Sequence, residues 1–443
     1  MDVESAFKLF DVRGKYPEIV DERLAFAIAH AASLLFKPKT VAISMDTRES
    51  SPSLKEFLID GFSVANVQVV DLGETPLPMF NFALATENFD LGVMVTASHI
   101  AQDENGFKII KKGAVPLDQK EILDLKNRTS MFQNEPIVVP KLLPKKENFS
   151  DRYLAKILEL VGTDKPKIKL SLDVSRSVVV TTTMVLMQKI GAEFHLVNGT
   201  HGGNPLLAEN RKQLEKDVVS TQSDLGIMWD SDGDRVVFVD RQGKLIPMSF
   251  VLGSLAADAV SGSSHKKVAV DVRAGLVVRD LVLSAGGTLE ILPAWNTYLK
   301  FAMRQDPEIV FGGETSGHFL YSDFYAIDDG ILAAIRFIRL FEQGKIEKTL
   351  HELEKKYFEL PEQNIPCLAE KSTNILTKLT QQYRASDNLV SIEDGLTVFG
   401  PTWKFNLRES VTEPLLRLNL EARSEKEAQD IYSEIKKLID SEI

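Results

Sequence analysis

One short phrase occurs three times in this chain: an aliphatic or β-branched run that ends in aspartate, with an arginine close behind. Val41-Ala-Ile-Ser-Met45 leads into Asp46-Thr47-Arg48, Lys169-Leu-Ser-Leu172 into Asp173-Val174-Ser175-Arg176, and Lys267-Val-Ala-Val270 into Asp271-Val272-Arg273. A helix-length segment follows each, then a second apolar run (Val67 to Val70, Glu193 to Val197, Thr288 to Leu292) and a third (Leu91 to Val95, Leu225 to Trp229, Glu308 to Phe311). Repetition on this scale constrains the architecture more than any single motif, because each copy must be one supersecondary unit. Short apolar strands alternating with helical segments predict βαβ units and parallel sheets covered by helices on both faces.

In such sheets the ligand loops lie at the carboxyl ends of the strands. The loops after the third strands read Thr96-Ala-Ser98-His99, Asp230-Ser-Asp232-Gly-Asp234-Arg235 and Gly312-Gly-Glu314-Thr-Ser316-Gly-His318. Three equivalent positions with three different polar loops predict one composite site. Beyond about residue 355 the pattern changes to a Glu/Lys-rich stretch with Pro361 and Pro366, then an amphipathic tail from Glu425 to Ile443. The expected fold class is α/β: three similar mixed α/β domains with helix-covered sheets (1–143, 144–243, 244–357) and a smaller α+β C-terminal domain (358–443), around one central cleft. Pro140 to Lys146 reads as the connection between the first two units, and the second and third meet near Gln242 to Pro247.

Asp230, Asp232 and Asp234 crowd three carboxylates around one glycine, and they repel one another unless a cation neutralises them. An all-oxygen set suits a hard ion such as Mg²⁺. A calcium EF-hand loop is excluded, because its final position needs a bidentate Glu and Arg241 stands there. A polar turn is the plainer alternative. Ser98 places a hydroxyl where a ligand loop belongs, yet serine is a poor nucleophile without a base or a group to carry, and Thr96 and Ser98 also suit a helix cap. Glu314, Ser316 and His318 offer a carboxylate, a hydroxyl and an imidazole suited to gripping sugar hydroxyls. His318 is placed either to shuttle a proton or to serve as a structural histidine. Arg408-Glu-Ser410-Val-Thr412-Glu-Pro414 outlines a phosphate cradle or, equally, a helix cap.

Charge narrows the partners. Lys+Arg 52 against Asp+Glu 63 gives a net charge of -11, and no Lys/Arg-rich run stands out, which argues against nucleic acid or an anionic membrane as partner. The single cysteine, Cys367, forms neither an internal disulfide nor a thiolate zinc site. The N-terminus lacks an apolar signal core, and the uncharged stretch Leu245 to Ala257 falls short of the roughly 20 residues a membrane span needs. A soluble cytoplasmic protein in a reducing compartment is expected.

Taken in order, these loops resemble the α-D-phosphohexomutase superfamily over essentially the whole chain. Phe10-Asp-Val-Arg13-Gly14 resembles its N-terminal motif, whose arginine helps the active-site phosphate. Thr96 to His99 with Asn105-Gly-Phe-Lys108 resembles the phosphoserine loop, Asp230 to Arg235 the magnesium loop, Gly313 to His318 the sugar-specificity loop, and Arg408 to Pro414 the distal phosphate loop. The resemblance implies a phosphomannomutase/phosphoglucomutase activity on small hexose phosphates. Ser98 would be stored as phosphoserine, with Mg²⁺ held by Ser98, Asp230, Asp232 and Asp234. The phosphoryl group would pass from Ser98 to a hexose monophosphate, and the 1,6-bisphosphate, which also serves as activator, would turn end for end and return its other phosphate to Ser98. Arg13, Lys108 and Arg235 would stabilise the moving charge, Glu314, Ser316 and His318 would hold the sugar, and Arg408, Ser410 and Thr412 the distal phosphate.

Three positions depart from the family pattern. Ile100-Ala101 replaces Asn-Pro, Val411 stands where Gly or Asn is common, and Trp295-Asn296 replaces a Trp-Lys whose lysine is a proposed base. Asparagine accepts no proton, so that role passes to His99, His318 or Lys108. Thr315 stands where phosphoglucosamine mutases usually carry Gln, favouring hexose over glucosamine phosphates. The competing readings are a phosphoglucosamine mutase, a non-catalytic sugar-phosphate-binding homologue, and a metal-dependent phosphatase in which water takes the phosphoryl group.

Overall fold

The structure, a computed structural model, describes residues 3–132, 137, 143–174, 177–197, 203–386, 388–410 and 414–442. The chain divides into two compact units, one of Met1–Ile246, Ser316–Phe319 and Ile327–Glu342, the other of Pro247–Thr315, Leu320–Ala326 and Gln343–Ile443.

The first unit contains two sheets. In one, the strands run Val12–Lys15, Glu104–Lys111, Leu91–Val95, Thr40–Met45, Gln68–Glu74 and Lys145–Lys146, with Val115–Pro116 paired to Glu104–Lys111. Thr40–Met45 is parallel to both Gln68–Glu74 and Leu91–Val95. The last two residues of the expected Pro140–Lys146 connection therefore extend the sheet, pairing with Val70 and Asp71. The second sheet runs Val236–Asp240, Leu225–Trp229, Lys169–Asp173, Glu193–Leu196. Lys169–Asp173 is again the central strand, parallel to both repeat neighbours.

Every residue of Leu91–Val95 and of Leu225–Trp229 is buried, as expected of central strands in helix-covered parallel sheets. Helices Glu22–Phe36 and Ser51–Val64 cover the first sheet. Asp21 caps the former by accepting the Leu24 N–H at 2.8 Å. Their close approach depends on Gly61, where an added Cβ would meet the Phe26 carbonyl at 2.7 Å.

The second unit repeats the plan once more. Thr288–Leu292, Lys267–Asp271 and Ile309–Gly313 lie side by side, parallel, and Phe319–Tyr321 completes the sheet. The other sheet of this unit is wholly antiparallel, in the order Phe358–Pro366, Leu415–Ala422, Trp403–Glu409, Leu396–Phe399, Leu389–Ser391. Helices Ala369–Arg384 and Glu425–Glu442 cover it, burying Ile375, Leu379, Ile431, Ile435 and Ile439 against Leu396, Phe405, Leu418 and Leu420.

The architecture is thus mixed α/β with helix-covered sheets and an antiparallel C-terminal sheet. It departs in one respect from all-parallel sheets: in the first two repeats the third strand is followed by an antiparallel fourth, Glu104–Lys111 against Leu91–Val95 and Val236–Asp240 against Leu225–Trp229. The intervening ligand loops are too short for a crossover helix, so the chain can only double back. Among the described residues no helix is long and apolar enough to cross a membrane.

Candidate active site

In the first unit, Ser98 lies three residues beyond the end of the fully buried strand Leu91–Val95 and adopts φ 53, in the left-handed region. A non-glycine residue held there costs about 1 to 2 kcal/mol, so other contacts must fix it. Its N–H donates to Thr96 Oγ1 at 2.9 Å, and its carbonyl accepts from Arg48 Nη2 at 2.7 Å. The resulting turn sends Ser98 Oγ to Asp230 Oδ2 at 3.2 Å, with His99 Nδ1 at 3.3 Å.

The three aspartates form a buried nest, with Asp230 and Asp232 at 0% exposure and Asp234 at 1%. Asp230 Oδ1 accepts the N–H groups of Gly233 and Arg235 at 3.0 and 3.2 Å. Gly233 has φ +81, and a Cβ there would lie 2.2 Å from Val179 Cγ1. Lys108 Nζ bridges Asp232 Oδ2 and Asp234 Oδ2, both at 2.8 Å.

The electrostatics follow from burial and crowding. Burial first, then the charges of Asp232 and Asp234, push the Asp230 carboxyl well above the usual range. Burial and Asp234 likewise raise Asp232. At Asp234 the burial cost is outweighed by Lys108 and His318, leaving it at about 2. Burial would discharge Lys108, but Asp232 and Asp234 more than compensate and its pKa rises. Burial, with Arg235 beside it, drops His99 to about 2; Arg13 adds a smaller push the same way, which puts Arg13 within electrostatic reach of this loop.

A metal ion suits this donor set. Asp232 Oδ1 and Asp234 Oδ1 are buried and have no hydrogen-bond partner among the described residues. Donor atoms of Asp230, Asp232 and Asp234 lie within 4.8 Å of one another, a spacing that could hold an ion. Such an orphaned all-carboxylate cluster fits a hard divalent cation.

His318 joins the same unit through a bridge to Arg235. Its Nε2 accepts from Arg235 Nε at 2.9 Å, while Nδ1 faces Asp328 Oδ2 at 3.2 Å. Ser316, also of this unit, is buried.

The second unit carries Glu314, 3% exposed. Its Oε1 accepts the N–H of Trp295 at 3.0 Å, and its Oε2 accepts from Arg273 Nη2 at 3.2 Å. Trp295 pays for that contact with φ 120, and Asn296 opens helix Asn296–Gln305 behind it. Arg408 lies near the end of its strand, directly across from Arg417. Burial first, then Arg273, lower its pKa, and its Nε has no hydrogen-bond partner among the described residues. Its Nη1 lies 3.8 Å from Asp394 Oδ2. Ser410 N–H donates to the Leu415 carbonyl at 2.9 Å. Thr412 and Val411 lie outside the described residues.

The phosphoglucomutase/phosphomannomutase profiles for alpha/beta/alpha domain I, alpha/beta/alpha domain III and the C-terminal domain match residues 4–134, 250–360 and 378–438. The chain belongs to this family, within the α-D-phosphohexomutase superfamily. A phosphomannomutase of Escherichia coli (strain K12) is 29% identical over 442 residues, covering 95% of each chain. A probable phosphoglucosamine mutase of Methanopyrus kandleri is 27% identical, covering 96% of this chain and 95% of its own. The crystal structure of a phosphoglucomutase/phosphomannomutase family protein from Burkholderia thailandensis superposes with a TM-score of 0.88 at 25% identity, covering 100% of this chain and 98% of that one.

Sequence reasoning passed over three side chains that touch the predicted site residues, Arg48, Arg273 and Asp328, and a fourth, Arg417, that lies across the strand from Arg408. Arg48 and Arg273 were visible only as part of the repeat, Asp328 stood unremarked beside the helix that starts at Gly330, and Arg417 emerges only through cross-strand pairing.

Proposed function

We propose that the chain is a phosphohexomutase that interconverts hexose 1-phosphate and hexose 6-phosphate, with mannose or glucose as the sugar, through a phosphoserine at Ser98 and a hexose 1,6-bisphosphate. The supporting observation is Ser98 Oγ at 3.2 Å from Asp230 Oδ2, at the mouth of a buried three-aspartate nest. A hydroxyl so placed is held beside a cation site rather than beside a strong base, which suits a resident phosphoryl carrier better than a hydrolytic nucleophile.

In this reading Asp230, Asp232, Asp234 and Ser98 would hold Mg²⁺, which when bound neutralises charge on the phosphoryl oxygens. Lys108, kept charged by its two carboxylates, and Arg13 and Arg235 would stabilise the equatorial oxygens of the moving group. Lys108 is therefore an electrostatic group rather than the base, and His99, at about 2, is too weak an acceptor. His318 remains to take the proton from the attacking sugar hydroxyl at Nε2, with Nδ1 against Asp328. Glu314 and Ser316 would bind ring hydroxyls, and Arg408, Ser410 and Thr412 the phosphate that is not reacting. The reaction would use hexose 1,6-bisphosphate as activator and a four-domain division at 143/144, 243/244 and 357/358.

The test is phosphorus NMR with Mg²⁺, a trace of glucose 1,6-bisphosphate, and mannose, glucose or glucosamine 1-phosphate in separate samples. A 6-phosphate signal with mannose or glucose supports the proposal. Conversion confined to glucosamine would move the chain to the phosphoglucosamine mutases. Inorganic phosphate in proportion to substrate would make it a phosphatase, and binding without conversion a non-catalytic homologue.

A further inference from the structure

The Asp-x-Arg phrase that ends the first strand of the repeat makes the same backbone clamp and a related guanidinium contact in the two copies described in full. Asp46 follows Thr40–Met45 and Asp271 ends Lys267–Asp271, each strand lying between two parallel neighbours of its sheet. Arg48 N–H donates to Asp46 Oδ1 at 3.1 Å, and Arg273 N–H to Asp271 Oδ1 at 3.1 Å. The other carboxylate oxygen holds the same arginine's guanidinium, Asp46 Oδ2 pairing with Arg48 Nη1, and Asp271 Oδ2 accepting from Arg273 Nε at 2.5 Å and pairing with Arg273 Nη2 as well. Both aspartates are buried. Each thereby closes a ring with its arginine that fixes the direction of the side chain. In the middle copy Ser175 and Arg176 lie outside the described residues.

In both copies Nη2 also reaches the loop after the adjacent parallel strand: Arg48 Nη2 while its Nη1 holds Asp46, its Nε having no hydrogen-bond partner among the described residues, and Arg273 Nη2 while it also pairs with Asp271 Oδ2. The register makes this contact natural: Met45 lies opposite Val95, and Val270 opposite Gly313, so neighbouring strands end level. The targets differ. Arg48 Nη2 donates to the carbonyls of Ser98 and Ile100 at 2.7 and 3.1 Å, on either side of His99. Arg273 Nη2 donates to Glu314 Oε2 at 3.2 Å, while the Trp295 N–H holds Oε1.

We propose that Arg48 and Arg273 are positioning residues, two copies of one brace that serve different steps: Arg48 fixes the phosphoryl-carrying serine loop, and Arg273 fixes the carboxylate that grips the sugar. The assignment rests on the mutase reading of Ser98 and Glu314. Without Arg48 the two carbonyls of the left-handed Ser98 turn lose their shared donor, the loop relaxes toward ordinary backbone, and Oγ leaves its place beside Asp230. Binding of sugar phosphate does not depend on that placement. Without Arg273 the Glu314 carboxylate is free to rotate, and a sugar hydroxyl loses its partner equally in the ground state and the transition state. Lysine substitutes for neither arginine, because one ammonium cannot span a carboxylate and the far loop together.

The experiment compares R48M, R48K, R273M and R273K with the wild type by kcat and KM for glucose 1-phosphate, by calorimetric binding of glucose 6-phosphate, and by amide exchange. For R48M we expect kcat down by about a hundredfold, the cost of ångström-scale misplacement, with KM within about threefold and faster exchange at residues 98–101. For R273M we expect KM and the dissociation constant up by about 10- to 100-fold, as for a lost charge-assisted hydrogen bond, with kcat within about threefold. Each lysine variant should follow its methionine counterpart, and R48K replaces R48M should the latter fail to fold. Parallel losses in kcat and KM for both arginines, tracking melting temperature alone, would overturn the proposal. So would wild-type exchange at 98–101 in the R48 variants. A wild type that binds glucose 6-phosphate without turnover would refute the mutase reading instead, while unchanged binding in R273M would still overturn the Arg273 half and unchanged exchange in R48M the Arg48 half.

Discussion

Arg235 Nε lies 2.9 Å from Nε2 of His318, and because a guanidinium only donates hydrogen bonds, the imidazole nitrogen it meets must be the unprotonated one. The ring proton is then on Nδ1, toward Asp328 Oδ2 at 3.2 Å. The candidate base is thus held in one tautomer from both sides, with its lone pair covered by an arginine that the substrate's phosphate would draw away. On the mutase reading, this pairing would couple arrival of the anionic substrate to exposure of the base.

Replacing Asp328 by Asn leaves the burial and most of the shape but removes the carboxylate that favours the Nδ1–H tautomer. We expect kcat to fall at least about tenfold with KM within about threefold, a smaller loss than the roughly hundredfold to ten-thousandfold expected for H318Q, which removes the acid–base group itself. Steady-state kinetics on both variants checks this. A D328N variant with wild-type kcat would sink the orienting role.

Lys108 Nζ bridges two carboxylates of the cluster proposed to hold a cation, and so neutralises part of the same charge. Exchanging it for Met leaves buried carboxylates without their ammonium partner, at a cost of about 3 to 5 kcal/mol when no ion is present. Mg²⁺ should therefore raise the melting temperature of K108M by more than that of the wild type. Equal shifts in the two proteins would show that Lys108 does not share the load with the metal site.

How much of this was legible in the sequence follows from the range of each interaction. The repeat announced three sheets because period and strand composition are local properties, and the parallel neighbours Thr40–Met45, Lys169–Asp173 and Lys267–Asp271 fall where the phrase recurs. The antiparallel fourth strands were not legible, since the direction of a return depends on the span of the loop before it. Ser98 and the aspartate loop were legible because each motif is contiguous. Arg48, Arg273 and Asp328 were not, because each acts on a loop far along the chain or across a strand: the contact from Arg48 to Ser98 spans 50 residues and that from Arg273 to Glu314 spans 41. Only the fold brings those partners together.

Gly233 tests the aspartate nest through the backbone. With φ +81 and Val179 Cγ1 2.2 Å from a would-be Cβ, alanine there meets both an unfavourable backbone region and a clash. G233A should bind Mg²⁺ about 5- to 30-fold more weakly, the equivalent of about 1 to 2 kcal/mol of strain relieved by distorting the loop that carries Asp230 and Asp234. Calorimetric titration of Mg²⁺ decides the point, and wild-type affinity would mean the loop absorbs the side chain.

In the second unit, Glu421 caps helix Leu276–Ser284, its carboxylate accepting the N–H groups of Leu276 and Val277 at 2.8 and 3.0 Å. Burial first, then the charge of Glu359, push this carboxyl from 4.5 up to about 7, against the pull of the Val277 N–H and Lys404. A carboxyl that ionises less readily in the folded chain adds its full stability below the unfolded value and loses it as pH rises through the folded one. Lys404, itself lowered by burial to about 8, stays charged in both states below that window and adds no slope. The melting temperature should therefore decline between about pH 4.5 and about pH 7, and E421Q should flatten that part of the profile while keeping one acceptor at the helix start. A decline of the same steepness in E421Q would place its origin in another group.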